Sequence, residues 1–163
     1  MQQTVALAET ALPWDVPVGC QVWTPTDNGH WLLVSQAVNQ RERDQDPTAH
    51  AELLALRRAG QVLGHWRLPH AVLVVTLEPC AMCASAIRQA RVGAVYFGAY
   101  DALAGAVGSQ WNLLAQEAGH TQPPVPAYGG ILEDVCQAQL HTFFRQKRHA
   151  PAALKQDLAR GYD

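Results

Sequence analysis

The sequence predicts an α/β domain in which helices layer against a sheet, and three observations predict it. Apolar runs of strand length alternate along the chain with longer segments rich in Ala, Leu, Glu and Arg. One run, Val72-Leu73-Val74-Val75-Thr76, is apolar without alternation, as expected of a strand covered on both faces. Toward the C-terminus, Leu132, Val135, Cys136, Leu140, Phe143 and Phe144 recur at helical spacing and form one apolar stripe. The chain has 163 residues and shows no repeat, linker or low-complexity segment, so residues 1–163 are read as a single domain.

Each element has a local cause. A first helix is expected over residues 4–12, ended by Pro13. Apolar runs over 16–23 and 31–38 flank Pro25, Asp27, Asn28 and Gly29, which reads as a β-hairpin with a long loop. Asp46-Pro47-Thr48 looks like a helix start, with Thr48 or Asp46 as its cap, and residues 49–59 are good helix formers with Gly60 as the stop. After the strand at 72–76, Pro79 opens another helix. A further strand covers 94–97, a helix 110–118 and a short strand 125–128. A helix between those last two strands implies a crossover and hence parallel pairing. The closing helix spans 132–147, and a last short one 151–160.

The bulk properties narrow the function. Formal net charge is -2, so any nucleic-acid surface must be a local patch and not an overall basic excess. The N-terminus has no signal-like apolar run, and no segment approaches the ~20 apolar residues that span a bilayer. A cytoplasmic protein without a membrane partner is expected. Of the four cysteines, Cys80 and Cys83 have metal or redox spacing. Cys20 and Cys136 stand alone and are read as buried reduced thiols. His65, His70, His120 and His149 are read as surface or loop residues. Trp14, Trp31 and Trp66 are assigned to core or dimer contacts.

The chemistry lies in two short segments, His50-Ala51-Glu52 and Pro79-Cys80-Ala81-Met82-Cys83. A structural zinc site is closed by four protein ligands, whereas a catalytic one leaves a position for water. Here three obvious ligands, His50, Cys80 and Cys83, are accompanied by a carboxylate, Glu52, two residues from one of them. Both ligand sets fall at expected helix starts, where the partial positive charge favours thiolates and anionic oxygen. Zinc can lower the pKa of water from about 15.7 to roughly 7. Glu52 is then free to shuttle protons as general acid/base.

The H-x-E and P-C-x-x-C pair resembles zinc-dependent nucleobase deaminases. The longer stretches Asp46-Pro47-Thr48-Ala49-His50-Ala51-Glu52 and Val75-Thr76-Leu77-Glu78-Pro79-Cys80-Ala81-Met82-Cys83 resemble bacterial tRNA-specific adenosine deaminases more narrowly. The likeness continues through Val16-Pro17-Val18-Gly19, Asn39, Phe97-Gly98-Ala99-Tyr100-Asp101-Ala102, Gly105-Ala106-Val107-Gly108-Ser109 and Phe143-Phe144-Arg145. It implies a three-layer αβα fold with a five-stranded mixed sheet, a homodimer, and conversion of adenosine to inosine at the wobble position of a tRNA anticodon. It also implies Zn2+ on His50, Cys80 and Cys83, with Glu52 as the acid/base. Asn39 would hydrogen-bond the base, Pro17 and Leu77 would line its pocket, and Asp101 would contact the ribose-phosphate chain. Ala51, Phe144 and Arg145 are further substrate contacts by the same likeness.

The chain also departs from that family. Leu103 and Ala104 stand where basic or hydroxyl residues are usual, Tyr100 where arginine is common, and the hairpin over 19–39 is longer. These changes remove phosphate contacts. The alternative is a deaminase of a free base or nucleoside, such as guanine, which would also suit the acidic balance. A non-catalytic RNA-binding subunit would be expected to have lost the carboxylate that Glu52 supplies.

Overall fold

The computed structural model describes residues 1–115 and 123–149. In chain order the elements are α1 (Gln2–Ala8) with a 3-10 turn (Glu9–Ala11), β1 (Gly19–Pro25), β2 (Trp31–Val38), α2 (Arg41–Asp44), α3 (Ala51–Leu63), β3 (Val72–Leu77), α4 (Ala81–Gln89), β4 (Ala94–Ala99), β5 (Ala127–Tyr128) and α5 (Glu133–His149). The sheet has the order β2-β1-β3-β4-β5. β1 pairs antiparallel with β2 and β3, and β4 pairs parallel with β3 and β5, so the sheet is mixed.

Strand alternation sorts the helices to the two faces. Val22 is the cross-strand partner of Ser35, whose hydroxyl donates to the Ala55 carbonyl of α3 at 2.7 Å. The Val22 face therefore carries α3, with α4 beside it. Gln21 points the other way and accepts from the Thr4 hydroxyl of α1 at 3.0 Å. Gln21 pairs with Val74 and Val74 with Tyr96, so β4 presents Tyr96 and Gly98 to that second face. There a Cβ on Gly98 would lie 2.3 Å from Cys136 Sγ of α5, so the missing side chain is what admits α5. Gln139 of α5 donates to the Val5 carbonyl of α1 at 3.1 Å. The result is three layers, α1 and α5, the sheet, then α3 and α4, as the resemblance implies.

The main core lies under α3 and α4, where Cys20, Val22, Leu73, Val75, Val95 and Phe97 meet Ala51, Ala55, Ala59, Ala84 and Ile87. Burying such side chains stabilises by about 25 cal/mol per Å² of apolar surface. Cys20 and Cys136 are buried and free, as expected.

Several sequence expectations need correction. α3 runs through Gly60 and stops at Gly64, which adopts φ 73 and so takes the left-handed cap position that favours glycine. Neither Thr48 nor Asp46 caps α3: Asp46 Oδ1 accepts from Thr48 N and Thr48 Oγ1 in a local turn, and the N-cap is His50. The first strand starts at Gly19, and α4 starts at Ala81, behind the Cys80 N-cap. No helix forms over 110–115, while 116–122 lie outside the described residues. β4 and β5 are nonetheless parallel. Trp14, Trp31 and Trp66 are 63%, 54% and 57% exposed, so of the core-or-dimer assignment only the core alternative is excluded. His65 and His70 are exposed, while His120 and the segment 151–160 fall outside the described residues.

Candidate active site

The site is made by two helix starts meeting at one edge of the core. His50 and Cys80 are both N-cap residues in extended conformation, and neither uses its side chain to cap. The imidazole and the thiol are thereby left to turn toward each other. His50 Nδ1 lies 3.7 Å from Cys80 Sγ and 3.6 Å from Cys83 Sγ. The three donor atoms all lie within 4.8 Å of one another.

The missing cap of α3 comes from another element. Asn39, just past β2, accepts the Ala51 N–H on Oδ1 at 3.0 Å, while its own N–H donates to the Val18 carbonyl at 3.1 Å. One buried amide thus fixes the β2 end, the segment before β1 and the helix start that holds His50 and Glu52. Its Nδ2 meets no acceptor among the described residues.

Charge at this corner is polarised by its surroundings. The Cys80 thiol is held down at about 4, chiefly by hydrogen bonding from Cys83, against burial and with the help of His50. Cys83 is pushed up in turn by its bond to Cys80 and by burial. His50 is raised, first by its hydrogen bond to Cys80. Glu52 is 4% exposed, and burial pushes its carboxyl up to about 6 despite its own backbone N–H and the nearby imidazole. It lies outside the group of three mutually close donors.

The donor set suits zinc. With Zn–S near 2.3 Å and Zn–N near 2.0–2.1 Å, tetrahedral ligation places a nitrogen and a sulfur about 3.5 Å apart. The His50–thiol distances of 3.6 and 3.7 Å match that spacing. Two sulfurs and an imidazole are also the soft and borderline ligands this ion prefers.

The other sequence-singled residues are placed as follows. Pro17 and Ala51 are buried, Leu77 is half-buried at the end of β3, and Asp101 is half-buried after β4. Asp101 Oδ1 accepts from Leu103 N at 2.9 Å and Ala104 N at 3.1 Å, so this carboxylate shapes its own turn. Phe144 and Arg145 are exposed on α5, and no described contact joins them to the three donors.

Sequence reasoning missed Glu78. Its carboxylate accepts Asp101 N, Val107 N and Ser109 N, each at 3.0 Å, and the Ser109 hydroxyl. A carboxylate directly before the Pro79-Cys80 pair was the available signal, but its partners lie more than twenty residues away.

Comparison with known proteins decides the family. Residues 1–99 match the model of the cytidine and deoxycytidylate deaminase zinc-binding region. The chain is 41% identical over 145 residues to the tRNA-specific adenosine deaminase of Bacillus subtilis, covering 89% of this chain and 86% of that protein. It belongs to the tRNA-specific adenosine deaminase family. Among solved structures it is similar to one from biochemical and structural studies of A-to-I editing by tRNA:A34 deaminases at the wobble position of transfer RNA. That match has TM-score 0.76 and 36% identity over 86% of this chain and 97% of the other. A guanine deaminase of Bacillus subtilis is more distant, at TM-score 0.56 and 28% identity over 91% and 92% of the two chains.

Proposed function

We propose that this deaminase-family chain converts adenosine to inosine at the wobble position of a tRNA anticodon, with zinc held by His50, Cys80 and Cys83. The observation that carries the reading is the buried Glu52 carboxylate, beside the three donors yet not one of them. Zinc bound there supplies a Lewis acid that brings water toward ionisation near neutral pH. Glu52 takes a proton from the attacking water and passes it to the ring nitrogen as the oxygen bonds to C6. The second proton moves through the same carboxylate to the exocyclic amine, the C6–N bond breaks, and ammonia leaves. Water is consumed, ammonia is released, and nothing is oxidised or reduced.

The substrate side follows from the same reading. Asn39 offers its uncommitted Nδ2 to the base, with Pro17, Ala51 and Leu77 around it. Asp101 meets the ribose-phosphate chain, and Phe144 and Arg145 meet the RNA from α5. A homodimer is part of the same reading, on the family resemblance. Among the described residues no helix is long and apolar enough to cross a membrane, and the four cysteines are free, which suits a single cytoplasmic domain.

The test is deamination by the zinc-loaded chain of an anticodon stem-loop with wobble adenosine, against free adenine, guanine, adenosine and cytidine, with Glu52→Ala as control. Inosine in the RNA supports the reading. Ammonia from a small substrate alone would move the chain to the free-base alternative, which the net charge of -2 and exposed Leu103 favour.

A further inference from the structure

Glu78 ties the metal corner to the loop that follows β4. The residue is 2% exposed and stands between β3 and Pro79, two positions from the Cys80 N-cap. Its N–H donates to the Ala99 carbonyl at 2.8 Å. Oε1 accepts from Val107 N and Ser109 N; Oε2 accepts from Asp101 N and the Ser109 hydroxyl. An ionised carboxylate has about four acceptor sites, and here all have donors. Burial would raise this carboxyl, but the Ser109 hydroxyl and the backbone N–H groups hold it below its ordinary value.

The same loop is fastened to the neighbouring backbone. Ala106 N donates to the Pro79 carbonyl at 2.9 Å, and Cys80 and Gly105 form an isolated antiparallel bridge. Gly105 packs so closely that a Cβ there would lie 2.3 Å from Glu78 Oε2 and 2.6 Å from the Asp101 carbonyl. One buried charge thus gathers four of the loop's donors, beside the backbone bonds that fasten the loop to the ligand segment. With its lone pairs committed to the loop, the carboxylate has none left for proton transfer.

We infer that Glu78 is a positioning residue for the nucleic-acid substrate: it sets the 101–109 loop, and Asp101 within it, against the Cys80 corner. This rests on the RNA-editing reading above. Glutamine has the shape but puts an amide NH2 where one oxygen accepted. It would face the Asp101 N–H donor to donor, or else the N–H groups of Val107 and Ser109. Ser109→Ala removes a single donor and leaves the carboxylate in place.

The experiment compares wild type, Ser109→Ala and Glu78→Gln on the stem-loop, with kcat and KM resolved and zinc per chain measured. Binding of labelled RNA is measured separately in a Glu52→Ala background, where turnover is blocked. Glu78→Gln is expected to raise KM and the RNA Kd by about tenfold with kcat within about twofold, the signature of lost binding that is equal in ground and transition states. Ser109→Ala should move both the same way by about two- to threefold, zinc remaining stoichiometric. If Glu78→Gln fails to fold, the Ser109→Ala shift decides. A fall in zinc and kcat together at unchanged KM overturns the proposal and makes Glu78 a support of the metal corner. A lowered melting temperature with wild-type KM and kcat overturns it in favour of a purely structural role. A wild-type chain inactive on RNA would overturn the functional reading and this proposal with it; an active wild type with unmoved variants overturns the proposal alone.

Discussion

The metal corner and the 101–109 loop adjoin each other, yet they are built on opposite terms. The corner takes donors from two helix starts whose backbone is set by the helices themselves and by Asn39. Its reactive groups are buried or half-buried, and they perturb one another. The loop has no regular structure. Its backbone N–H groups converge on Glu78; Ala106 and Val107 turn into the core, while Leu103 is 90% exposed. Chemistry is thus carried by residues that little else in the fold would tolerate changing. Leu103 and Ala104 lie on the exposed part of the loop, whereas Tyr100, half-exposed, packs edge-on against Phe97. These are the positions at which the sequence departs from the pattern that the family resemblance implies.

The sharpest way to break the contrast is at the corner. Glu52→Ala should lower turnover by at least about 10²–10⁴-fold while zinc stays stoichiometric, as metal analysis beside an inosine assay would show. Loss of zinc in that variant would make Glu52 a ligand and remove the separation of roles. Cys80→Ser should instead deplete zinc and lose activity with it; a fully metallated, active variant would take Cys80 out of the donor set.

At the loop, effects should be smaller and of another kind. Gly105→Ala forces a Cβ onto Glu78 and the Asp101 carbonyl, and should destabilise by about 1–3 kcal/mol in urea unfolding. Because Glu78 is depressed in the folded chain, its contribution is fully present above its unfolded value of 4.5 and is lost as pH falls through the folded one. The stability gap between wild type and Glu78→Gln should therefore be constant from pH 7 to about 5 and close below that. Smallest of all, Leu103→Lys should tighten RNA binding only at low salt, steepening the log Kd against log salt slope by about 0.7–0.9.

The same contrast explains what the sequence made legible. The corner was readable because its residues lie close together in the chain and their types carry the chemistry. The buried run of β3 and the apolar stripe of α5 were readable by pattern. The end of α3 was not, since Gly60 and Gly64 are equal candidates locally and only the backbone angle of Gly64 separates them. The helix expected over 110–118 failed in its described part because the N–H groups there are taken elsewhere. Gln110 N goes to the Gly105 carbonyl and Leu113 N to the Ala106 carbonyl, while Val107 bridges Asn112. The role of Glu78 was invisible because its partners are 23 to 31 residues away. Which tryptophans stay out of the core was not legible, because large apolar residues are core by default and only a folded surface shows which ones are left out.

Asn39 has a consequence for anyone wishing to retarget this scaffold. The amide proposed to read the base is also the clamp on which the start of α3 hangs. Altering it to prefer another base would tilt His50 and Glu52 in the same stroke, so selectivity and reactivity cannot be tuned separately at that position. Directed evolution should find its gains among outward residues such as Tyr100 and Leu103, and a library randomised at Asn39 should return mostly inactive clones.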